Sequence, residues 1–340
     1  MNNFKYLKIS NSEEALHNIS NLQNSKFLAG GTNLIDLWKY DLLNPDTLID
    51  INELQDLTTE NETADGSFFL GALLTNAETA HHPVVEEKYP LLSRSILAGA
   101  SAQIRNSATN GGNLLQKTRC YYFYDAALPC NKRNPGSGCP AIEGSNRMHA
   151  ILGTSEKCIA VFPSDMCVGL AALEAVIQVK GLNGERLIKF EDFHTLPGET
   201  PEIDNTLAED ELITGIILPK EGFAENFSYL KLRDRSSYAF ALISVATGLK
   251  LENGLIKKAR IALGGIAHKP WRVKEAEDFL IDKKPDEENF RTAAEMIIKG
   301  AKGFGDNDFK IELSKKAIVR NCLMALDPTE SQRPGAKPAL

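Results

Sequence analysis

Phe27-Leu28-Ala29-Gly30-Gly31-Thr32-Asn33-Leu34 reads as a strand, a double-glycine turn and the start of a helix. Glycine lets the backbone come close to a ligand or to another segment, because no Cβ stands in the way. Free N–H groups at such a turn and at a helix N-terminus attract phosphate oxygens. The stretch has neither the G-x-G-x-x-G dinucleotide spacing nor a P-loop. On these residues alone, an anion cradle and a plain strand–turn–helix junction both remain open.

A second turn, Ile104-Arg105-Asn106-Ser107-Ala108-Thr109-Asn110-Gly111-Gly112-Asn113-Leu114, again sets paired glycines beside small hydroxyl and amide side chains. Such a turn either wraps a polar cofactor, with Thr109 and Asn113 donating hydrogen bonds, or forms a polar surface loop.

Around the first turn, the opening 60 residues read as a small α/β unit. Strands are predicted at 4–8, 26–29 and 47–51, with a short helix at 34–40. Ser10-Asn11-Ser12-Glu13 has capping-box spacing and opens a helix running to residue 19. From 68 to about 219 a larger region follows, with a strand at 68–71 and helices at 90–101 and 164–173, the last capped by Ser164. A hairpin of 175–180 and 186–189 turns around Asn183-Gly184, and another strand lies at 211–218. The third region runs strands first (227–231, 242–252, 257–263), then helices (274–281, 287–302, 311–325), the order of an α+β unit. From Pro328 the polar, Pro-containing tail predicts extended or disordered chain.

At 340 residues the chain has room for two or three domains, since single cores stop growing at roughly 250–300 residues. A formal net charge of −7 argues against nucleic acid or an anionic membrane surface as the main partner. No stretch approaches the ~20 apolar residues of a membrane span, so no membrane insertion is expected. Met1-Asn2-Asn3-Phe4-Lys5-Tyr6 lacks the apolar core of a signal peptide. The expected compartment is cytoplasmic by the chain's own sequence, and periplasmic only by co-export with a partner.

Four of the six cysteines, Cys120, Cys130, Cys139 and Cys158, fall within residues 117–158, a Cys-, Gly-, Pro- and Tyr-rich stretch without periodicity. Some forty unstructured residues inside a compact domain require something to organise them. Nine, eight and eighteen residues intervene between these cysteines. Structural zinc sites favour close pairs, which are absent here. Long loops carrying four thiolates suit an iron–sulfur cubane, and spacing alone leaves cluster, zinc and free thiols all open. Tyr121, Tyr122, Phe123 and Tyr124 either shield such a site or are core. His149 reads as a structural histidine, and Cys167 and Cys322 sit in apolar helical patterns as core residues.

Together, the two glycine turns resemble the paired FAD motifs of xanthine dehydrogenase-type flavoprotein subunits, in the molybdenum hydroxylase family. The resemblance continues through Ser164-Asp165 ahead of Leu170-Ala171-Ala172-Leu173-Glu174-Ala175, through Lys231-x-x-x-Arg235, and through Leu263-Gly264-Gly265-Ile266-Ala267-x-x-Pro270-Trp271-Arg272. It covers nearly the whole chain, to about residue 325.

It implies an α+β protein: a two-subdomain FAD-binding fold of the vanillyl-alcohol-oxidase type over residues 1–59 and 60–222, with an iron–sulfur insertion at 117–158. A C-terminal α+β domain of the CO-dehydrogenase flavoprotein type follows at 223–326, then the tail, 327–340. Phe27, Leu28, Ala29, Gly30, Gly31, Thr32, Asn33, Leu34 and Ile35 would embrace the FAD pyrophosphate. Ala108, Thr109, Gly112 and Asn113, with Ile104 nearby, would hold the phosphate and ribityl portions. Asp165, next to Ser164, would accept hydrogen bonds from the sugar-like hydroxyls, and Ile213 and Lys231 would lie close to the cofactor. From the residues alone, Asp165 is equally a helix-start carboxylate and Lys231 a solvated strand lysine. Ser237-Tyr238 stand where many relatives carry acidic or tryptophan residues near the flavin.

The cysteine block resembles that of bacterial periplasmic-type aldehyde oxidoreductases, through Arg119-Cys120, Pro129-Cys130, Cys139 and His149-Ala150-Ile151-Leu152-Gly153. This implies a [4Fe–4S] cluster on Cys120, Cys130, Cys139 and Cys158. The implied role is electron transfer, from a large molybdopterin-binding subunit through a small [2Fe–2S] subunit to FAD and an external electron acceptor. Such a chain is inactive on aldehyde alone. The alternatives are the corresponding subunit of a 4-hydroxybenzoyl-CoA reductase-type enzyme and a non-redox, zinc-stabilised binding module. FAD is expected to bind noncovalently, because neither glycine turn contains a His or Cys to attach it.

Overall fold

A computed structural model describes residues 2–236 and 238–328. The predicted tail beyond 328, and Ser237, lie outside the described residues. Three sheets organise the chain, and each arises from a different sequence pattern.

The first is a parallel sheet of β1 (Lys5–Lys8), β2 (Ser25–Leu28) and β3 (Thr47–Asp50), in the order β1-β3-β2. Helices Ser12–Asn21 and Leu34–Lys39 make the connections that parallel strands require. The first helix begins later than Ser10-Glu13 spacing predicts. Asn11 is the N-cap and accepts from the Glu14 N–H at 2.8 Å, while Glu14 reaches back to the Ser10 N–H at 3.0 Å. Asparagine caps as well as serine does, and Ser12 instead turns inward onto Asp56.

The second sheet is antiparallel throughout and has five strands: β4 (Glu60–Glu62), β5 (Phe68–Gly71), β6 (Val176–Gly181), β7 (Gly184–Lys189) and β8 (Leu212–Leu218), in the order β4-β5-β8-β6-β7. Two helices with clear local signals follow β5. Asn76–His81 starts with a Thr75/Glu78 capping box, and Pro83–Lys88 has proline in its first turn. Helix Pro90–Ala98 ends at Gly99, three residues short of the expected end. It packs with the wholly buried helix Asp165–Leu173 in one large apolar core.

The third sheet is a meander of β9 (Asn226–Leu232), β10 (Ile243–Glu252) and β11 (Leu255–Gly264). Asn253 and Gly254 make the β10–β11 turn with φ of 53° and 74°, the left-handed pair that Asn-Gly adopts most readily. Helices Lys274–Phe279, Glu287–Ile298 and Phe309–Leu326 cover the sheet. The middle helix stops four residues before its expected end, with Gly300 at φ 82° just beyond it.

Residues 117–158 form loops with a single helical turn, Tyr121–Tyr124. Side chains do what regular structure does elsewhere, satisfying the loop's own polar backbone. Arg133 donates to the carbonyls of Tyr122, Phe123 and Leu128. Asn131 accepts from the Gly138 N–H at 2.8 Å and donates to the Lys157 carbonyl at 2.9 Å. The end of the insertion is clasped by the C-terminal region. Ile151 and Leu152 pack into that region's core and bond to Ile266. Lys310, fully buried, donates to the carbonyls of His149 and Gly265 at 3.0 and 2.9 Å, and Asn307 donates to Ala150 at 3.1 Å.

Candidate functional site

The two glycine turns meet. Gly30 passes so close to the second turn that a Cβ there would overlap the Ser107 carbonyl oxygen, and Ser107 Oγ donates to the Gly30 carbonyl at 2.9 Å. Gly31 takes φ 70°, turning β2 into helix Leu34–Lys39. In the second turn Thr109 caps helix Asn110–Leu114, and Asn113 donates to Asn76 at 2.6 Å. Ser164 Oγ and Gln116 Nε2 both donate to the Asn113 oxygen, at 2.5 and 2.8 Å. Thr109 and Asn113, expected to donate to a cofactor, thus hold the turn itself in shape.

Beside these turns opens a cavity of about 490 Å³. Of the residues expected at a cofactor, Thr32, Asn33, Ile104, Ala108, Gly112, Asn113, Ser164, Asp165 and Lys231 line it. Phe27 and Leu28 belong to β2, while Ala29, Gly30 and Gly31 stand behind the lining in the turn. Leu34 and Ile35 start the following helix, with Ile35 against Gly31. Ile213 does not join them. It lies in β8, buried in the main core and paired with Val179. Sequence reasoning missed Asp36, Asn76, Arg105, Gln116 and Arg119, which also line the cavity. Arg105 and Arg119 stand within motifs quoted from the sequence and Asn76 follows the Thr75 cap, whereas Asp36 and Gln116 are brought in by tertiary folding.

Asp165 is the helix-start carboxylate its sequence context allowed, in the first turn of helix Asp165–Leu173, and it also lines the cavity. Its oxygens accept from Lys231 Nζ at 2.8 Å and from Tyr229 OH at 2.7 Å, and Lys231 also donates to the Ala98 carbonyl at 3.0 Å. With side chains 7% and 5% exposed, this is a buried ion pair and not a solvated lysine. Burial, then the neighbouring Asp165 charge, pushes the Tyr229 hydroxyl far above its usual range, so it stays a proton donor to Asp165. Removing one partner of a buried pair strands the other charge. Lys231→Met is expected to cost about 3–5 kcal/mol of stability, seen as a lower urea midpoint. An unchanged midpoint would show that the pair carries no such weight.

Cys120, Cys130, Cys139 and Cys158 line one small cavity, brought together from four separate loops. Cys139 accepts from the Cys158 thiol, and that bond, with the N–H groups of Ile159, Ala141 and Ile142, holds Cys139 below the usual thiol range. Cys158 is raised, first as the donor in that bond and then by burial. Burial pushes Cys120 up to about 12. The His149 ring approaches the Cys120 sulfur, Nε2 to Sγ 3.1 Å, and burial lowers its pKa to about 4, so it is neutral at pH 7. Among the described residues, no three His, Cys, Asp or Glu side chains gather closely enough to hold a single metal ion. Cys167 and Cys322 are buried in the two main cores, away from this cavity. Phe123 is buried, whereas Tyr121 is exposed at the edge of the cysteine region.

A third cavity, of about 160 Å³, shares lining residues with each of the other two. It shares Thr118, Cys120 and His149 with the cysteine cavity, and Arg119, Met148, Ser164 and Asp165 with the large one. Tyr238 and Phe240 form part of the large cavity's outer wall.

Three layers of sheet, a cavity built on paired glycine turns and a C-terminal meander under helices define an oxidoreductase subunit of known type. The chain belongs to the FAD-binding medium subunits of the molybdenum hydroxylase family. Residues 2–221 match the FAD binding domain in molybdopterin dehydrogenase, and residues 228–322 match the CO dehydrogenase flavoprotein C-terminal domain. The chain is 43% identical to the aldehyde oxidoreductase FAD-binding subunit PaoB of Escherichia coli, over 94% of this chain and 97% of that one. It is 28% identical to the glyceraldehyde dehydrogenase medium chain of Sulfolobus acidocaldarius, covering 86% of each. Carbon monoxide dehydrogenase from Hydrogenophaga pseudoflava shares the fold, with a TM-score of 0.74 at 23% identity over 95% of this chain and 97% of that one. Among the described residues, no helix is long and apolar enough to cross a membrane.

Proposed function

We propose that this chain is the electron-transfer subunit of a molybdenum-dependent aldehyde oxidoreductase, carrying FAD in the large cavity and a [4Fe–4S] cluster on Cys120, Cys130, Cys139 and Cys158. The observation that carries this reading is the placement of the four thiols. They line one cavity, and Cys120 also lines the neighbouring small cavity, which shares Arg119, Ser164 and Asp165 with the cavity beside the glycine turns. A cubane spreads its four thiolates farther apart than a mononuclear zinc ion does, which suits cysteines on the walls of a shared void. The cavity beside the turns fits FAD by its close backbone approach at Gly30 and Ser107 and by the polar Asp165–Lys231 pair at its wall. FAD, when bound, takes electrons singly and releases them in pairs, and a cluster exchanges them singly.

The chain's own residues bind, orient and wall off these groups. The glycine turns would position the pyrophosphate, the Asn76–Asn113–Ser164 chain holds the second turn in shape, and the insertion's loops surround the thiols, with Cys130 and Cys158 buried. Among the described residues, none is assigned to a molybdopterin pocket or a [2Fe–2S] site. Both are assigned to a large and a small partner subunit, with an external acceptor at the flavin. The likeness to PaoB supports an aldehyde as the substrate of the assembled complex.

The test uses the chain purified alone under anaerobic conditions. It is expected to be yellow, with a flavin absorbance spectrum, and to release its FAD intact on denaturation. Mixed with benzaldehyde and an artificial electron acceptor, it is expected to turn nothing over, and activity is expected only after the molybdopterin and [2Fe–2S] subunits are added. Turnover by the molybdenum-free chain would overturn the subunit reading. A colourless protein with one zinc would overturn the redox reading altogether.

A further inference from the structure

Arg119 directly precedes Cys120 and lines both the large cavity and the smaller one that Cys120 also lines. Its Nη1 donates to Asp36 Oδ2 at 2.7 Å and to Tyr124 OH at 2.7 Å, and Tyr124 in turn donates to the same Asp36 oxygen at 2.9 Å. Its Nη2 reaches Asn33 Oδ1 at 3.4 Å, and the Lys117 N–H reaches that oxygen at the same distance. Asn33 ends the glycine turn, and Asp36 lies in the helix it opens. The guanidinium also sits 5.5 Å from the centre of the Phe240 ring, on the outer wall of the cavity.

One side chain of the cysteine insertion therefore touches the glycine turn, the following helix and the C-terminal segment where all three face the same cavity. A guanidinium is suited to this, because its planar fork bonds several acceptors at fixed angles. We infer that Arg119 is a positioning residue through which the cysteine insertion holds the flavin cavity closed, so that FAD is retained tightly only while the insertion is ordered. The inference rests on the proposed reading, in which the cavity holds FAD and the cysteines hold the cluster. It adds a role for the insertion that electron transfer does not require. The four thiolates order the loop, the ordered loop places Arg119, and Arg119 pins Asn33 and Asp36. No bond to FAD from Arg119 itself is invoked.

The experiment measures FAD dissociation from the full chain with its cofactors, alongside iron content and thermal unfolding. Arg119→Gln is expected to raise the FAD off-rate about tenfold to hundredfold, the span of one to two charge-assisted hydrogen bonds. Iron content and unfolding temperature should stay near those of the wild type, which a general structural defect would not allow. Arg119→Lys, which keeps the charge but not the fork, should fall between the two. Removing iron from the wild type with a chelator should raise its FAD off-rate to the level of Arg119→Gln, and in Arg119→Gln the same treatment should add little. Should that variant fold poorly, Asp36→Ala removes the acceptor and is expected to speed FAD loss with iron retained. An unchanged off-rate in iron-replete variants, or in the iron-stripped wild type, would overturn the inference and leave the proposed function standing. A wild-type chain that purifies without FAD would instead overturn the proposed function.

Discussion

Gly30→Ala is expected to yield a folded chain that has lost most of its FAD. A methyl group at this position would overlap the Ser107 carbonyl oxygen, which is backbone and cannot swing aside. The two turns must part, and the Ser107–Gly30 hydrogen bond goes with them. Overpacking of this kind costs about 1–3 kcal/mol, roughly five- to hundredfold in affinity if it falls on the assembled cavity. Flavin absorbance per chain after gel filtration, and a titration with added FAD, would read the loss. Gly31→Val is expected to weaken FAD by a different route, through strain at φ 70°, because the nearest obstacle there is the flexible end of Ile35. Full flavin content in Gly30→Ala would count decisively against the cradle.

Cys139→Ser is expected to abolish the cluster. Anaerobically purified wild type should contain about four iron and four acid-labile sulfide per chain, as a four-thiolate cubane requires. The variant should contain little of either, because three thiolates leave one iron without its ligand. Cys167→Ala is the control. Its sulfur lies in the core between helices and not on the cysteine cavity, so iron should be unchanged. One zinc and no iron in the wild type would replace the cluster with a structural metal.

Much of this was legible in the sequence because it is local. The Ser164 cap and the Asn183-Gly184 turn are written in neighbouring residues, and the strands expected from the sequence fall within a residue or two of the observed ones, while the three-residue β4 (Glu60–Glu62) was not expected. The short helices after β5 also carried local signals, Thr75 with Glu78 and Pro83, and could have been read. What escaped reading was the pairing of distant side chains. Asp165 and Lys231 were each expected at the cofactor, but no local pattern says that they bond to one another across 66 residues. Arg119 with Asp36, and Lys132 with Asp204, are likewise made only by folding. Ile213 shows the opposite limit, since an apolar strand residue looks the same whether it faces a ligand or a core.

The clasp on the cysteine insertion also imposes an order in time. His149 and its partner Lys310 are 161 residues apart, and Asn307 reaches back 157 residues to Ala150. At the usual pace of synthesis that gap is roughly 10–30 s. Throughout it the ribosome has already delivered all four cysteines, while the groups that shut their loop do not yet exist. Until the final helix emerges, the end of their loop lacks the bonds that Asn307 and Lys310 make to Ala150 and His149. A chain stopped before Asn307 would keep its cysteines and never close over them.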